Sequence, residues 1–135
     1  MYSSHERRIL QTMGEKGPYR PGEVEVATEE GLSIVRLLGE HDLATTHVIA
    51  DRLAALIASG SPLAFDLTEA TFIDSGVARI FDGVLVAGVP VALVVSEPSS
   101  PLVRRVLDLT GVAQRIPVVP SLEAARQILL EGLRG

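Results

Sequence analysis

LAFDLTEATFIDSG, residues 63–76, contains two patterns from which the fold class can be predicted. It begins with LAFDL, whose apolar residues fall on both faces, as they do in a central strand of a parallel sheet. It ends with FIDSG, after which apolar residues recur at helical spacing, at Val77, Ile80, Phe81 and Val84. That spacing predicts a helix that begins near Ser75. The chain is therefore predicted to pass from a buried strand into a helix, with a serine at the turn.

A second helix is predicted upstream, directly after the sequence GEHD of residues 39–42. Its inward face repeats at helical spacing and comprises Ile49, Leu53, Leu56 and Ile57. Thr45 is the expected N-cap, because a threonine oxygen can accept a hydrogen bond from the first helical turn. The run Ser-Gly-Ser-Pro at residues 59–62 ends this helix.

Two more strands and two more helices are predicted downstream. VPVALVV at residues 89–95 and IPVV at residues 116–119 are the strands. Ser100 is the expected N-cap of the helix between them, with Pro101 at the first position, where its missing N–H costs nothing. That helix is expected to end at Gly111 and to turn inward Leu102, Val103, Val106 and Leu107. Ser121 caps the final helix, whose expected inward residues are Leu122, Ala125, Ile128 and Leu129.

The N-terminal part of the domain is predicted to be a hairpin. EVEVAT, residues 23–28, alternates acid and valine as a half-buried edge strand does, and LSIVRLLG, residues 32–39, follows a polar turn. Residues 1–22 end in a stretch rich in glycine and proline and are expected to be a flexible extension.

The predicted order of elements is β-β-α-β-α-β-α-β-α, which indicates one α/β domain over residues 23–135. Helices that alternate with short apolar strands imply crossovers and a mixed, mainly parallel sheet. We expect four to five strands, with the N-terminal hairpin at an edge, and four helices.

Composition and charge exclude several classes of function. There is no cysteine, which excludes disulfides and a cysteine nucleophile, and the histidines at 5, 41 and 47 do not share ligand spacing, so no metal or other cofactor is expected. Residues 1–22 hold four basic and two acidic side chains, a net +2, and the remainder holds eight arginines and fifteen acids, a net −7. An acidic body repels phosphate backbones and disfavours nucleic acid as a partner.

The first residues do not resemble a signal peptide, because they carry charges where such a peptide has an apolar run. No apolar run approaches the roughly 18 residues that a membrane span needs. We therefore expect a cytoplasmic protein without a membrane span.

The residues alone leave three interpretations of Ser75. A serine before a helix is a favoured N-cap, which stabilises the helix by about 1 kcal/mol relative to alanine. A serine could also be displayed at such a turn for modification. A serine hydrolase would pair Ser75 with His41, although Ile73 and Val77 stand where the nucleophile elbow Gly-x-Ser-x-Gly has its glycines.

Three aspartates, Asp42, Asp66 and Asp74, fall at or near predicted strand ends. If their side chains converge, they suit Mg²⁺ binding or a phosphotransfer reaction. Carboxylates scattered at loop ends are otherwise simply solvated.

Three segments together resemble the STAS domain, the fold of bacterial anti-sigma-factor antagonists. They are GEHDLATTHVIADRLAAL at residues 39–56, LAFDLTEATFIDSG at residues 63–76 and PLVRRVLDLTGVAQRIPVVPSLEAARQIL at residues 101–129. In that family Gly-Glu-apolar-Asp-Leu opens the first helix, an aspartate-rich strand ends in Asp-Ser-Ser/Thr-Gly-Leu, and Leu-x-x-Thr-Gly closes the third helix. The resemblance covers residues 23–133.

This resemblance implies a phosphorylation switch with no catalytic residues of its own. Unmodified antagonists of this type bind an anti-sigma factor that is itself a serine kinase, and sigma factor is released. The kinase then phosphorylates the serine after the aspartate, here Ser75, and a phosphatase resets the protein. The partner-binding residues implied are Asp42, Thr45, Asp74, Ser75, Gly76 and Arg79. Homodimer formation is left open.

The chain departs from the family pattern near Ser75. Gly76 either replaces the family's second hydroxyl residue or marks a one-residue deletion, and His41 stands where the family prefers an aliphatic residue. These departures keep an alternative, a non-switching STAS scaffold of a stress-signalling complex or a cytoplasmic subunit of a transport system. The apolar stretch from Val84 to Ala87 is either a contact surface or the buried end of the second helix.

Overall fold

Six strands and five helices make up the described part of the chain, residues 21–97 and 99–134 of the computed structural model. The strands are β1 (Glu23–Glu29), β2 (Leu32–His41), β3 (Leu63–Asp66), β4 (Ala70–Ile73), β5 (Val91–Val94) and β6 (Val118–Val119). The helices are α1 (Leu43–Ser59), α2 (Ser75–Val86), α3 (Pro101–Leu109), α4 (Val112–Arg115) and α5 (Leu122–Arg134). The predicted flexible extension lies outside the described residues, apart from Pro21 and Gly22.

The strands form one sheet in the order β1-β2-β3-β5-β6, and β4 pairs with the far end of β2. β1 and β2 are antiparallel, and every other pair of neighbouring strands in the described ranges is parallel. The predicted α/β class, the mainly parallel sheet and the N-terminal hairpin at its edge are confirmed. The hairpin turns at Glu30 and Gly31, and Gly31 adopts a φ of 85° that its missing Cβ makes inexpensive.

The sequence predicted four to five strands and four helices, and the elements it missed are β4 and α4. Only Ala70 and Ile73 of the four residues in β4 are buried, so the strand shows neither alternation nor a continuous apolar run. β2 is ten residues long and extends past β3, and after a register shift between Gly39 and Glu40 its last residues pair with β4. This pairing satisfies backbone groups that β3 is too short to reach. α4 has four residues, too few to show helical periodicity.

Two apolar clusters, one on each face of the sheet, hold the layers together. On the first face, helices α1 to α4 cover Val35, Phe65 and Leu93, which are neighbours in the strand register. Phe65 and Phe81 meet there with ring centroids 4.4 Å apart at 45°, a geometry that adds roughly 0.5–1.5 kcal/mol beyond burial alone. On the second face, α5 contributes the cover; the buried residues of this cluster are Leu32, Ile34, Ala64, Ala92, Val94, Ala125 and Leu129.

The helices turn the predicted stripes inward, with two exceptions. The buried helix residues are Ile49, Leu53, Val77, Ala78, Phe81, Val84, Val103, Leu107, Val112, Ala125 and Leu129. Leu102 and Ile128 are predicted to face inward, but they are 53% and 42% exposed, so those predictions are wrong. Successive helical residues turn by about 100°, which carries Leu102 off the stripe through Val103 and Leu107. The same geometry moves Ile128 to the side of the stripe through Ala125.

At the end of α2, one of the two alternatives for the apolar stretch applies to Val84 and the other applies to the residues after it. Val84 is 1% exposed and belongs to the core, whereas Val86 is 86% exposed and Leu85 is 36% exposed. The buried interpretation therefore holds for Val84, and the residues after it form an exposed apolar tip.

Candidate partner-binding site

The carboxyl ends of β2 and β4 lie side by side and bring the starts of α1 and α2 together. His41 and Ile73 are paired across these strands, and the Asp74 N–H donates to the His41 carbonyl over 3.1 Å. The next residue in each segment is an aspartate that begins a helix, Asp42 for α1 and Asp74 for α2. The two helix starts thus form one surface at the carboxyl edge of the sheet, where open α/β folds place their binding sites.

Both helices are capped by these aspartates. Asp42 Oδ1 accepts a hydrogen bond from the N–H two residues later at 2.9 Å, and Asp74 Oδ1 accepts one from the N–H three residues later at 3.0 Å. The prediction that Thr45 caps α1 is therefore wrong, as is the interpretation of Ser75 as the cap of α2. A carboxylate is favoured because its charge also complements the partial positive charge of a helix N-terminus.

The Ser75 hydroxyl is left available because Asp74 does the capping. Ser75 is the first residue of α2 and is exposed. Its hydroxyl makes no hydrogen bond to any residue within the described ranges. Arg79, one turn further along α2, is exposed as well.

Gly76 lies beside the first turn of α1. A Cβ at this position would be 3.2 Å from Asp74 Oδ1 and 3.7 Å from Thr46 Oγ1. The shorter distance is tight enough that a side chain would press on the cap of α2.

His41 is fully buried and joins β2 to α1. Its Nε2 lies 3.0 Å from the Leu38 carbonyl, which can only accept, so Nε2 carries the proton of the neutral ring. Its Nδ1 lies 3.1 Å from the Thr45 hydroxyl. A Cβ on Gly22 would come within 2.8 Å of the ring, so the chain that enters β1 also packs directly against it. His41 thus ties three segments together.

Burial lowers the pKa of His41, and hydrogen bonds to backbone groups together with the charge of Asp42 offset part of this effect. A neutral ring with both nitrogens engaged is a structural group. In the described part of the chain no hydrogen bond joins His41 to Ser75. The serine–histidine pair that a hydrolase requires is not formed there.

Asp66 does not join the other two aspartates. It is buried on the opposite face of the sheet from Phe65, where its Oδ1 accepts from Thr68 N–H at 3.0 Å and from the Thr68 hydroxyl at 2.7 Å. Its Oδ2 lies 3.3 Å from Arg36 Nε. Of the two alternatives left open for the three aspartates, convergence is not found, and Asp66 is buried and partnered rather than solvated. Among the described residues no group of three or more acids and histidines could hold a metal.

A groove of about 220 Å³ opens beside Ser75, between α2 and the junction of α3 with α4. We call it the Ser75 groove; it is lined by Ser75, Ala78, Arg79, Asp82, Thr110 and Val112. Asp82 is held by Arg115 through two hydrogen bonds, Nε to Oδ1 at 3.0 Å and Nη2 to Oδ2 at 2.5 Å. The hydrogen bond to Asp82 raises the pKa of Arg115, whose guanidinium thus stays charged.

The structure places the residues implied by the resemblance in two groups. Asp42 and Thr45 lie at the start of α1, and residues 74–76 lie at the start of α2 with Arg79 one turn beyond them. The sequence interpretation missed Leu43, which is 80% exposed next to Asp42. It also missed the groove wall, although Thr110 belongs to the Leu-x-x-Thr-Gly motif and could have been found from it.

Comparison with protein families identifies one match. The family model described as the STAS domain matches residues 23–125. No curated protein sequence matches the chain. Within residues 21–97 and 99–134, no helix is both long and apolar enough to cross a membrane.

Several solved structures share the fold. An anti-sigma factor antagonist from Mycobacterium paratuberculosis is 25% identical, with a TM-score of 0.72, over 81% of this chain and 94% of that chain. The anti-sigma factor antagonist SpoIIAA in its unphosphorylated form is 20% identical, with a TM-score of 0.59, over 80% of this chain and 96% of that chain. The Bacillus cell fate determinant SpoIIAA in the phosphorylated form is 21% identical, with a TM-score of 0.55, over 80% of this chain and 99% of that chain.

Proposed function

The chain belongs to the STAS domain family, and from this premise we propose that it is an anti-sigma-factor antagonist controlled by phosphorylation. In this proposal the unmodified protein binds an anti-sigma factor that is also a serine kinase. Phosphorylation of Ser75 by that kinase ends the complex, and a phosphatase restores binding. The protein acts as an interaction switch in the cytoplasm and performs no catalysis itself.

The observation that carries this proposal is the free hydroxyl of Ser75. It is exposed, has no hydrogen-bond partner among the described residues and follows the aspartate that caps α2. A kinase must reach the hydroxyl without unfolding its substrate, and Gly76 adds no side chain that would block the approach. The relative from Mycobacterium paratuberculosis, an anti-sigma factor antagonist, supports the same role.

A phosphate on Ser75 should leave the fold intact. It adds about −1.5 to −2 charges at the first position of α2, where the helix N-terminus favours an anion by roughly 0.3–1 kcal/mol. No buried group has to move, because the hydroxyl already faces solvent. The proximity of the Asp74 carboxylate offsets part of that gain.

The same phosphate should disrupt an interface. It appears next to Asp74 and near Asp42, on a domain whose residues 23–135 carry a net charge of −7. A partner fitted to a neutral hydroxyl supplies no cation of its own to this anion, so it would have to desolvate the new charge without a compensating contact across the interface, which costs several kcal/mol. The switch therefore acts on binding rather than on folding.

The kinase reaction tests the proposal directly. The anti-sigma factor that the unmodified protein captures from its source cell is incubated with ATP and the antagonist, and mass spectrometry locates the added phosphate. We expect phosphate on Ser75 of the wild type, on the introduced threonine of the Ser75→Thr variant, and none on the Ser75→Ala variant. Phosphate on the alanine variant would show that the kinase modifies a residue other than Ser75.

The second candidate is a scaffold of the same fold that does not switch, either in a stress-signalling complex or in a transport system. The exposed apolar tip at Leu85 and Val86 favours it, because such a surface can bind a partner regardless of the state of Ser75. Under this candidate, Ser75→Asp leaves partner affinity unchanged. A tenfold or greater loss of affinity excludes it.

A further inference from the structure

Arg79 is an exposed cation without an ion-pair partner in the described part of the chain. The acid best placed to neutralise it is Asp82, three residues further along α2. Both oxygens of Asp82 are taken by Arg115, at 3.0 and 2.5 Å. Asp74, on the other side, uses Oδ1 for the cap of α2. The unmodified protein therefore presents a free guanidinium beside Ser75.

Ser75 and Arg79 face the same space. They are four residues apart on α2, a spacing that brings side chains together on one side of a helix, and both line the Ser75 groove. Asp82 also lines the groove, but its charge is balanced by Arg115, and the opposite wall, Thr110 and Val112, carries no acidic side chain. A guanidinium is also the side chain that matches phosphate oxygens best, through two parallel hydrogen bonds.

From this placement we propose that Arg79 pairs with the phosphate of phosphorylated Ser75 and holds it in the Ser75 groove. This inference rests on the proposed function, because it takes Ser75 to be the modified residue. Phosphorylation then makes two changes at once: it adds an anion and it removes the free cation from the docking surface. An acidic group of the partner that pairs with Arg79 in the unmodified complex loses its contact as well.

A phosphoserine placed at position 75 of the full chain during translation tests this pair without any kinase. Phosphorus NMR over a pH titration gives the second pKa of the phosphate, which is about 6 in an unperturbed phosphoserine. A paired cation favours the dianion, so the phosphate of the wild type should titrate roughly 0.2–0.4 pH unit below that of Arg79→Gln. Arg79→Lys, which keeps the charge and loses the planar fork, should fall between them.

Arg52→Gln is the matched control. Arg52 is also an exposed arginine and its loss changes the net charge equally, but it stands ten residues beyond Asp42 on α1. That spacing places it about 15 Å along the helix axis from Asp42, beyond the screening length of about 10 Å in 0.1 M salt. The phosphate on residue 75 of Arg52→Gln should therefore titrate at the same pH as in the wild type.

The proposed pairing of Arg79 with the phosphate would be overturned by an equal shift of the phosphate pKa in Arg79→Gln and Arg52→Gln. No shift in Arg79→Gln would overturn it as well. Either result leaves the proposed function untouched, since kinase labelling of Ser75 is measured separately. Conversely, a kinase that ignores Ser75 would remove the proposed function, while the phosphate pKa of the synthetic phosphoprotein would still report on Arg79.

Discussion

The starts of α1 and α2 use the same cap and differ in what happens to the neighbouring hydroxyl. Asp42 and Asp74 each accept a backbone N–H of the first turn, at 2.9 and 3.0 Å. At α1 the Thr45 hydroxyl is turned inward to His41 at 3.1 Å, whereas at α2 the Ser75 hydroxyl faces solvent. One hydroxyl thus belongs to the structure, whereas the other is left exposed because the carboxylate before it caps the helix.

Removing His41 should reduce stability most, because its buried ring connects the start of α1 to β2 and to the segment that enters β1. His41→Ala leaves a cavity in a fully buried position and removes the hydrogen bond from the ring to the Leu38 carbonyl. We expect the free energy of unfolding to fall by about 3 kcal/mol. Urea unfolding measures this, with His47→Ala on the exposed side of α1 as the control, for which a change within about 0.5 kcal/mol is expected. Equal losses in both variants would contradict the role given to His41.

The two hydroxyls can be compared directly by deleting each of them. Thr45→Val removes the partner of His41 Nδ1 and should cost about 1 kcal/mol of unfolding free energy. Ser75→Ala removes a hydroxyl without a partner in the described structure, so the change should stay within about 0.5 kcal/mol. If Ser75→Ala is the more destabilising of the two variants, the Ser75 hydroxyl has a structural role, contrary to what is expected here.

A pH titration of stability gives the most gradual effect. Burial lowers the pKa of His41 in the folded state, below the value of about 6.5 that it takes in the unfolded chain. The unfolded chain therefore gains the proton first. The neutral form of His41 therefore adds its full share to the free energy of unfolding above about pH 6.5. This share is lost as the pH falls towards the folded-state pKa. The slope should not exceed about 1.4 kcal/mol per pH unit, the value for a single proton.

Urea unfolding at pH 7.5 and pH 5.5 measures this loss. In His41→Asn the titrating ring is absent, so the decline between the two pH values should be shallower than in the wild type. A variant that loses stability as steeply as the wild type would assign the pH dependence to other groups.

Much of the fold could be predicted because its signals are local. Ser100 accepts from Leu102 N–H at 3.2 Å and Ser121 accepts from Ala124 N–H at 3.1 Å, as the serine caps of α3 and α5 predict. The buried stripes of α1 and α2 follow their periodicity. β4 was missed because its pairing depends on a register shift in β2, thirty residues earlier, which leaves no mark within ATFI itself.

The site was predicted less completely, since it depends on competition and on long-range contacts. Sequence placed Asp74, Ser75 and Gly76 together at the start of α2, but it could not decide whether the carboxylate or the hydroxyl would cap the helix. The Ser75 groove joins α2 to Thr110 and Val112, which follow Ser75 by more than thirty residues in the chain. The spacing of α2 alone did not reveal that Arg115 would take Asp82 and leave Arg79 free.

We propose that charge on Ser75 weakens docking and leaves the fold intact. Calorimetric titration of the captured anti-sigma factor with the unmodified protein and with protein carrying phosphoserine at position 75 tests it most directly. The phosphorylated form should bind at least about tenfold more weakly, a loss of about 1.4 kcal/mol, while its urea unfolding curve stays within about 0.5 kcal/mol of the unmodified one. Equal affinities for the two forms, with both folded, would contradict the claim.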